Sequence, residues 1–196
     1  MQLHKRDVVA AAAAILDNYG IADLTMRRLA RELDITPGAL YWHFASKQQL
    51  LGAVADELLA PVGAGAGHDA AWHERVTAVC TRMRDALRSH TDGAELVSAS
   101  FAAGQSHGVM DIMAALTAAA AEAGLDPERA EIAARTVIYY VLGFTADEQS
   151  RMQWGAGESG SEVFIGTAFG DPDRRFAFGL RLLVDGLAVH GGVPVP

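Results

Sequence analysis

The sequence is poor in the residues that most often announce chemistry. It has one cysteine and two lysines, and aromatic residues make up 7%. A lone Cys80 leaves no partner for an intrachain disulfide and too few thiolates for a cysteine-based zinc site or an iron–sulfur cluster. No uninterrupted apolar run reaches the ~18 residues of a membrane-spanning helix. The first six residues are polar and lead straight into an amphipathic segment, unlike a secretory signal. These absences predict a soluble cytoplasmic protein. There is no phosphate-cradling glycine loop, no nucleophile elbow and no HExxH. Asp147 and Glu148 offer an adjacent carboxylate pair, but without a surrounding motif an all-helical enzyme is disfavoured. The seven histidines include no i,i+4 pair, so neither a metal site nor a cofactor is expected.

What is present is length and apolar content. With 196 residues and 51% hydrophobic residues, the chain can bury a sizeable core without staples. The formal net charge is −8, unevenly spread. Residues 1–50 carry six basic and five acidic side chains, and residues 51–196 carry ten basic and nineteen acidic. An acidic body repels a polyanion, while a nearly neutral N-terminal part with clustered arginines can approach one.

Strand signals are nearly absent and helical periodicity recurs, so the fold class is all-α. Val8, Ala11, Ala12, Ile15, Leu16 and Tyr19 form one face of a first helix over 6–19, and Gly20 follows as its stop. Thr25 caps a second, short helix with Met26, Leu29, Ala30 and Leu33 inward. Thr36-Pro37 opens a third that runs to Phe44. Ser46 and Gln49 form a capping box for a fourth, which Pro61 should end. Gly63–Gly67 reads as a flexible break. Further helices are expected from Trp72 to His90, over 94–105 and 109–123, from Asp126 to about Met152, and from Asp173 to His190. Residues 153–172 read as a long loop. A domain boundary is placed near Leu50, inside the helix over 46–60, dividing residues 1–50 from 51–196.

Residues 25–44 carry the functional signal. Two short helices joined by a tight Asp34-Ile35-Thr36 connection make a helix-turn-helix, whose second helix fits the major groove. Leu40 and Phe44 are expected in the core. Three adjacent side chains cannot all face inward, so Trp42 and His43 are expected at the surface, with polar tips suited to phosphate and flat bodies suited to sugar or thymine methyl.

The run Leu24-Thr25-Met26-Arg27-Arg28-Leu29-Ala30-Arg31-Glu32-Leu33, then Thr36 to Phe44 with Leu-Tyr-Trp-His at its centre, then Ser46-Lys47, resembles the DNA-binding domain of the TetR family. Ser89 to Ala94, Leu142-Gly143 with Asp147-Glu148-Gln149, and Phe178-Gly179-Leu180 to Gly186-Leu187 are similar to the regulatory domain of the tetracycline repressor itself. The resemblance implies a cytoplasmic transcriptional repressor that binds a palindromic double-stranded operator as a homodimer and is released by a small molecule. By the family pattern Thr25, Arg27 and Lys47 would contact phosphate. Pro37, Gly38 and Ala39 would face the bases, Tyr41, Trp42 and His43 would contact backbone or base edges, and Arg28 would read a base. The dimer would form through helices at about 127–152 and 173–190. An activator or a ligand-independent regulator on the same fold is the alternative.

The same alignment implies an effector pocket lined by Val79, Met83, Val97, Ser100, Met113, Leu116, Thr117, Ile138 and Tyr139. Val97 and Tyr139 stand where the tetracycline repressor has histidines that serve a magnesium–drug chelate. An aliphatic side chain cannot ligate a cation and a neutral phenol is a poor ligand near pH 7. A largely apolar or aromatic effector is therefore expected.

Overall fold

In a computed structural model, residues 3–63, 70–157 and 171–192 are described, the last four of the middle segment as helical backbone alone. Among them there is no strand, and the elements are helices α1 (Lys5–Tyr19), α2 (Met26–Glu32), α3 (Pro37–Leu40), α4 (Lys47–Gly63), α5 (Trp72–Arg88), α6 (Gly93–Ala103), α7 (His107–Glu122), α8 (Pro127–Gly157) and α9 (Pro172–Gly191). A 3-10 turn, Ile21–Asp23, lies between α1 and α2. No helix among the described residues is long and apolar enough to cross a membrane.

The expected caps are present. The Thr25 hydroxyl accepts from Arg28 N–H at 3.2 Å, and that of Thr36 accepts from Ala39 N–H at 3.3 Å. The Ser46 hydroxyl accepts from Gln49 N–H at 3.2 Å, while the Gln49 amide oxygen reaches back to Ala45 N–H at 3.0 Å, one residue before the cap. Gly20 ends α1 with φ 79°.

Three boundaries differ from expectation. Pro61 sits inside α4, two residues before its end at Gly63, and Val62 beyond it is still buried. Helix α8 runs to Gly157, five residues past Met152, so the expected loop starts later. The rest of that loop, and the glycine break after Gly63, lie outside the described residues. Regular α-helix in α3 stops at Leu40. The chain then tightens through i→i−3 bonds, Trp42 N–H to Ala39 O at 3.3 Å and His43 N–H to Leu40 O at 2.9 Å, as helix ends commonly do.

The chain packs as two compact units, residues 1–64 with 85–111, and residues 65–84 with 112–196. The boundary expected near Leu50 falls within α4, all of which belongs to the first unit. In that unit α4 carries Leu50, Val54, Ala55, Leu58 and Leu59 inward against α1 and α6. A Cβ on Gly52 would lie 2.1 Å from the Gln105 carbonyl oxygen, so only glycine lets α4 approach the α6–α7 elbow this closely. One turn on, Asp56 Oδ1 accepts from Ser106 Oγ–H at 2.7 Å and from Gly108 N–H at 2.9 Å. Ser106 Oγ in turn accepts from Val109 N–H at 3.2 Å. A carboxylate from α4 thus completes the N-terminal cap of α7.

The second unit buries Val76, Cys80, Met83, Leu116, Ile138, Val141, Phe176 and Leu180. Within it lies a buried ion pair that the sequence reading did not anticipate. Arg84 donates through Nε to Glu148 at 2.8 Å and through Nη2 to the other carboxylate oxygen, and also to Asp173 at 2.8 Å. Arg84 and Glu148 are both buried, and the guanidinium lies 4.7 Å from the Phe176 ring centroid. Its hydrogen bonds to Glu148 push the guanidinium pKa further above its usual range, so Arg84 stays charged. Burial pushes the Cys80 thiol up to about 12, leaving it protonated at neutral pH and a packing residue.

Two stability predictions follow from these contacts. Gly52→Ala should cost about 1–3 kcal/mol through overpacking against backbone, lowering Tm by roughly 2–12 °C in a thermal melt. Arg84→Met should cost about 3–5 kcal/mol by leaving Glu148 buried and unpaired, whereas Arg84→Met with Glu148→Leu should recover most of it in denaturant titrations.

Candidate nucleic-acid interface

Helices α2 and α3 pack on each other through Leu29, Ala30 and Leu40, all with at most 1% exposure. The connection turns at Asp34, whose φ of 52° puts it in the left-handed region that a short polar side chain tolerates. Ile35 N–H then returns to Ala30 O at 2.9 Å, fixing the angle between the two helices. This is the helix-turn-helix expected for residues 25–44.

Its outer face is set by what lies beneath. Leu40 is 0% and Phe44 4% exposed, so the residues between them are turned outward. Trp42 is 90% exposed and Tyr41 52%. Thr25, Arg27, Pro37 and Gly38 are exposed, and Ala39, His43 and Lys47 half-buried. Nine of the ten residues expected at DNA lie in or directly beside α2 and α3 or at the start of α4, and all nine are exposed or half-buried.

The tenth, Arg28, is engaged within the chain. Its guanidinium pairs with Asp23 and lies 3.6 Å over the Tyr19 ring. For the base-reading role expected of Arg28, its guanidinium would have to leave both partners. The cause is its helix phase, which turns it back towards the end of α1. Arg27, one position earlier, is exposed and has no ion-pair partner among the described residues. The Tyr19–Asp23–Arg28 cluster was missed in the sequence because the spacing spans a glycine stop and a 3-10 turn.

The residues expected to line an effector pocket are mostly interior. In the second unit Val79, Met83, Met113, Leu116 and Ile138 are buried, and half-buried Thr117 donates to Met113 O at 2.8 Å. Val97 and Ser100 are buried in the first unit, with the Ser100 hydroxyl donating to Leu96 O at 3.0 Å. Tyr139 is the exception. It is 57% exposed, next to buried Ile138 on α8. Of the two carboxylates, Glu148 is taken up by Arg84, and exposed Asp147 pairs with Arg151 at 2.9 Å. Among the described residues no group of three His, Cys, Asp or Glu could hold a metal ion.

A helix-turn-helix with an aromatic-tipped, cation-flanked outer face on an all-helical body defines a DNA-binding regulator. Comparison with known proteins narrows the class. Residues 8–54 match the model for bacterial regulatory proteins of the tetR family, and residues 65–164 match the tetracycline repressor-like C-terminal domain. The chain is 32% identical to the class A tetracycline repressor from transposon 1721 of Escherichia coli, across 95% of this chain and 91% of that protein. The crystal structure of BioQ from Mycobacterium smegmatis is similar with a TM-score of 0.87 and 62% identity, covering 97% of this chain and 100% of that one. A structure of BioQ with its natural double-stranded DNA operator matches with a TM-score of 0.84 and 60% identity, covering 96% and 100%. The chain belongs to the TetR family, the ligand-responsive transcriptional repressors that bind operator DNA through this helix-turn-helix.

Two substitutions test the interface. Arg27→Ala should lower operator affinity and reduce the slope of log K against log salt by about 1. Tyr41→Ala should weaken operator binding by about tenfold in a gel-shift titration, with helix content unchanged by circular dichroism.

Proposed function

We propose that the protein is a homodimeric repressor of the cytoplasm. It binds a palindromic operator through two copies of the α2–α3 head and is released by a small, largely apolar or aromatic molecule. The observation that carries this reading is the turn directly after α3, where Tyr41 and Trp42 stand in solvent above a sealed core. A free monomer gains nothing by exposing an indole at 90%, whereas a groove gives it sugar and base edges to pack on. No enzymatic role is assigned, in keeping with relatives that are regulators.

The second unit supports dimerisation through α8 and α9. Ile132 on α8 and Phe178, Leu182 and Val189 on α9 are exposed by 59%, 66%, 57% and 79%. An apolar groove between these two helices is lined by Leu125, Ile132, Val137, Leu183, Gly186 and Leu187. Gly143 and Gly186 lie mid-helix where a Cβ would meet nothing within 4 Å. Glycine costs helix stability, so its presence in open space supports a second backbone approaching there. A stable dimer needs an apolar interface of ~2,000 Å² or more, which two long helices per subunit can supply.

The effector would bind among the apolar side chains of the second unit, Val79, Met83, Met113, Leu116 and Ile138, with Thr117 as a polar handle. Release requires that it prefer the conformer with low operator affinity. Residues 1–50 would serve as the reading head and 51–196 as the effector-binding and dimerisation part.

Footprinting with the full chain should protect two half-sites separated by one helical turn or more, and sedimentation should give a dimer at the concentrations used. Protection of a single half-site by a monomer would overturn the reading. Candidate effectors should raise Tm by linkage and lower operator affinity together.

A further inference from the structure

Gly38 occupies a position that the chain itself does not require to be glycine. Its φ is not in the left-handed region, and a Cβ added there would have nothing nearer than Thr36 Oγ1 at 3.9 Å. Gly52 and Gly93 are different, since a Cβ on either would strike backbone at 2.1 Å and 2.4 Å. In a helical turn with room for a methyl, alanine is the more stable choice. The space over Gly38 is thus kept clear for something outside the chain, and the family places DNA on this face.

The neighbours of Gly38 define what can be read there. Pro37 has no N–H and presents only ring methylenes, and it is exposed. Ala39 presents one half-buried methyl, and its N–H is already given to Thr36 Oγ1 at 3.3 Å. That bond uses one lone pair of the Thr36 hydroxyl and leaves its O–H able to donate, while the side chains that Pro37 and Ala39 themselves present are carbon. In the major groove the one apolar feature that distinguishes base pairs is the C5-methyl of thymine.

We infer that Gly38 is a close-approach residue that lets α3 settle onto the groove floor, so that Pro37 and Ala39 read thymine methyl groups in each operator half-site. The inference rests on the operator-binding reading above and specifies the bases read. It predicts half-sites in which thymine faces Pro37 and Ala39, while Arg27 supplies charge from α2.

The test uses the full-length protein and an operator selected from a random duplex pool. Each thymine of a half-site is replaced in turn by deoxyuridine, which removes the methyl and leaves the hydrogen-bonding edge intact. One or two positions should lose about 3–10-fold in affinity at fixed salt, and the others should not change. Equal affinity for every uracil-substituted duplex would overturn the methyl reading without touching the protein. In parallel, Gly38→Ala should keep or raise Tm while operator affinity falls at least tenfold and affinity for random duplex changes little. Wild-type operator affinity in Gly38→Ala, or a lower Tm, would overturn the role of the glycine. Failure of the wild-type chain to enrich any sequence would overturn the operator-binding reading itself, a separate result from either of these.

Discussion

Leu40 and Phe44 are withdrawn from solvent four residues apart, and the reading surface depends on that pair of anchors. Burying both apolar side chains contributes on the order of 1.5–3 kcal/mol each and fixes the rotation of the segment between them. Once they point down, Tyr41 and Trp42 must point out, whatever their own preference for burial. Hydrophobic packing in the free protein therefore pre-orients the side chains proposed to meet DNA, which lowers the ordering cost of binding through them.

The second constraint is closeness of backbones. Gly52 against the Gln105 carbonyl, with Asp56 bonded to Ser106 and Gly108, ties α4 to the α6–α7 elbow at two points one turn apart. Helix α4 begins directly after the recognition segment and shares its core with α1. Glycines whose missing Cβ faces open space tell a different story from those pressed on backbone. Gly38, Gly143 and Gly186 are of the first kind, and the proposals above assign them partners beyond the chain, DNA in one case and a second copy in the others.

Charge follows a similar division of labour. Adjacent in the chain, Arg27 is exposed with no ion-pair partner among the described residues, while Arg28 pairs with Asp23 and lies over the Tyr19 ring. In the second unit Arg84 neutralises Glu148 out of solvent. Desolvating both ions offsets much of their attraction, so the pair is a weak source of net stability even though breaking it by removing one partner is costly. It also removes Glu148 from any role in holding a cation.

The all-α class, the helix order, the caps at Thr25, Thr36 and Ser46 and the helix-turn-helix were legible in the sequence, because each rests on local rules of period and capping. So was the division of Leu40 and Phe44 from Trp42, since adjacent residues of a helix cannot share a face. Several features were decided only by tertiary structure: the parking of Arg28, the exposure of Tyr139, the passage of α4 through Pro61, and the Arg84–Glu148 pair. Each depends on which residue from a distant part of the chain, or which side of a neighbouring helix, happens to lie opposite. Periodicity reports that a face is buried or exposed, but it carries no record of the partner across the gap.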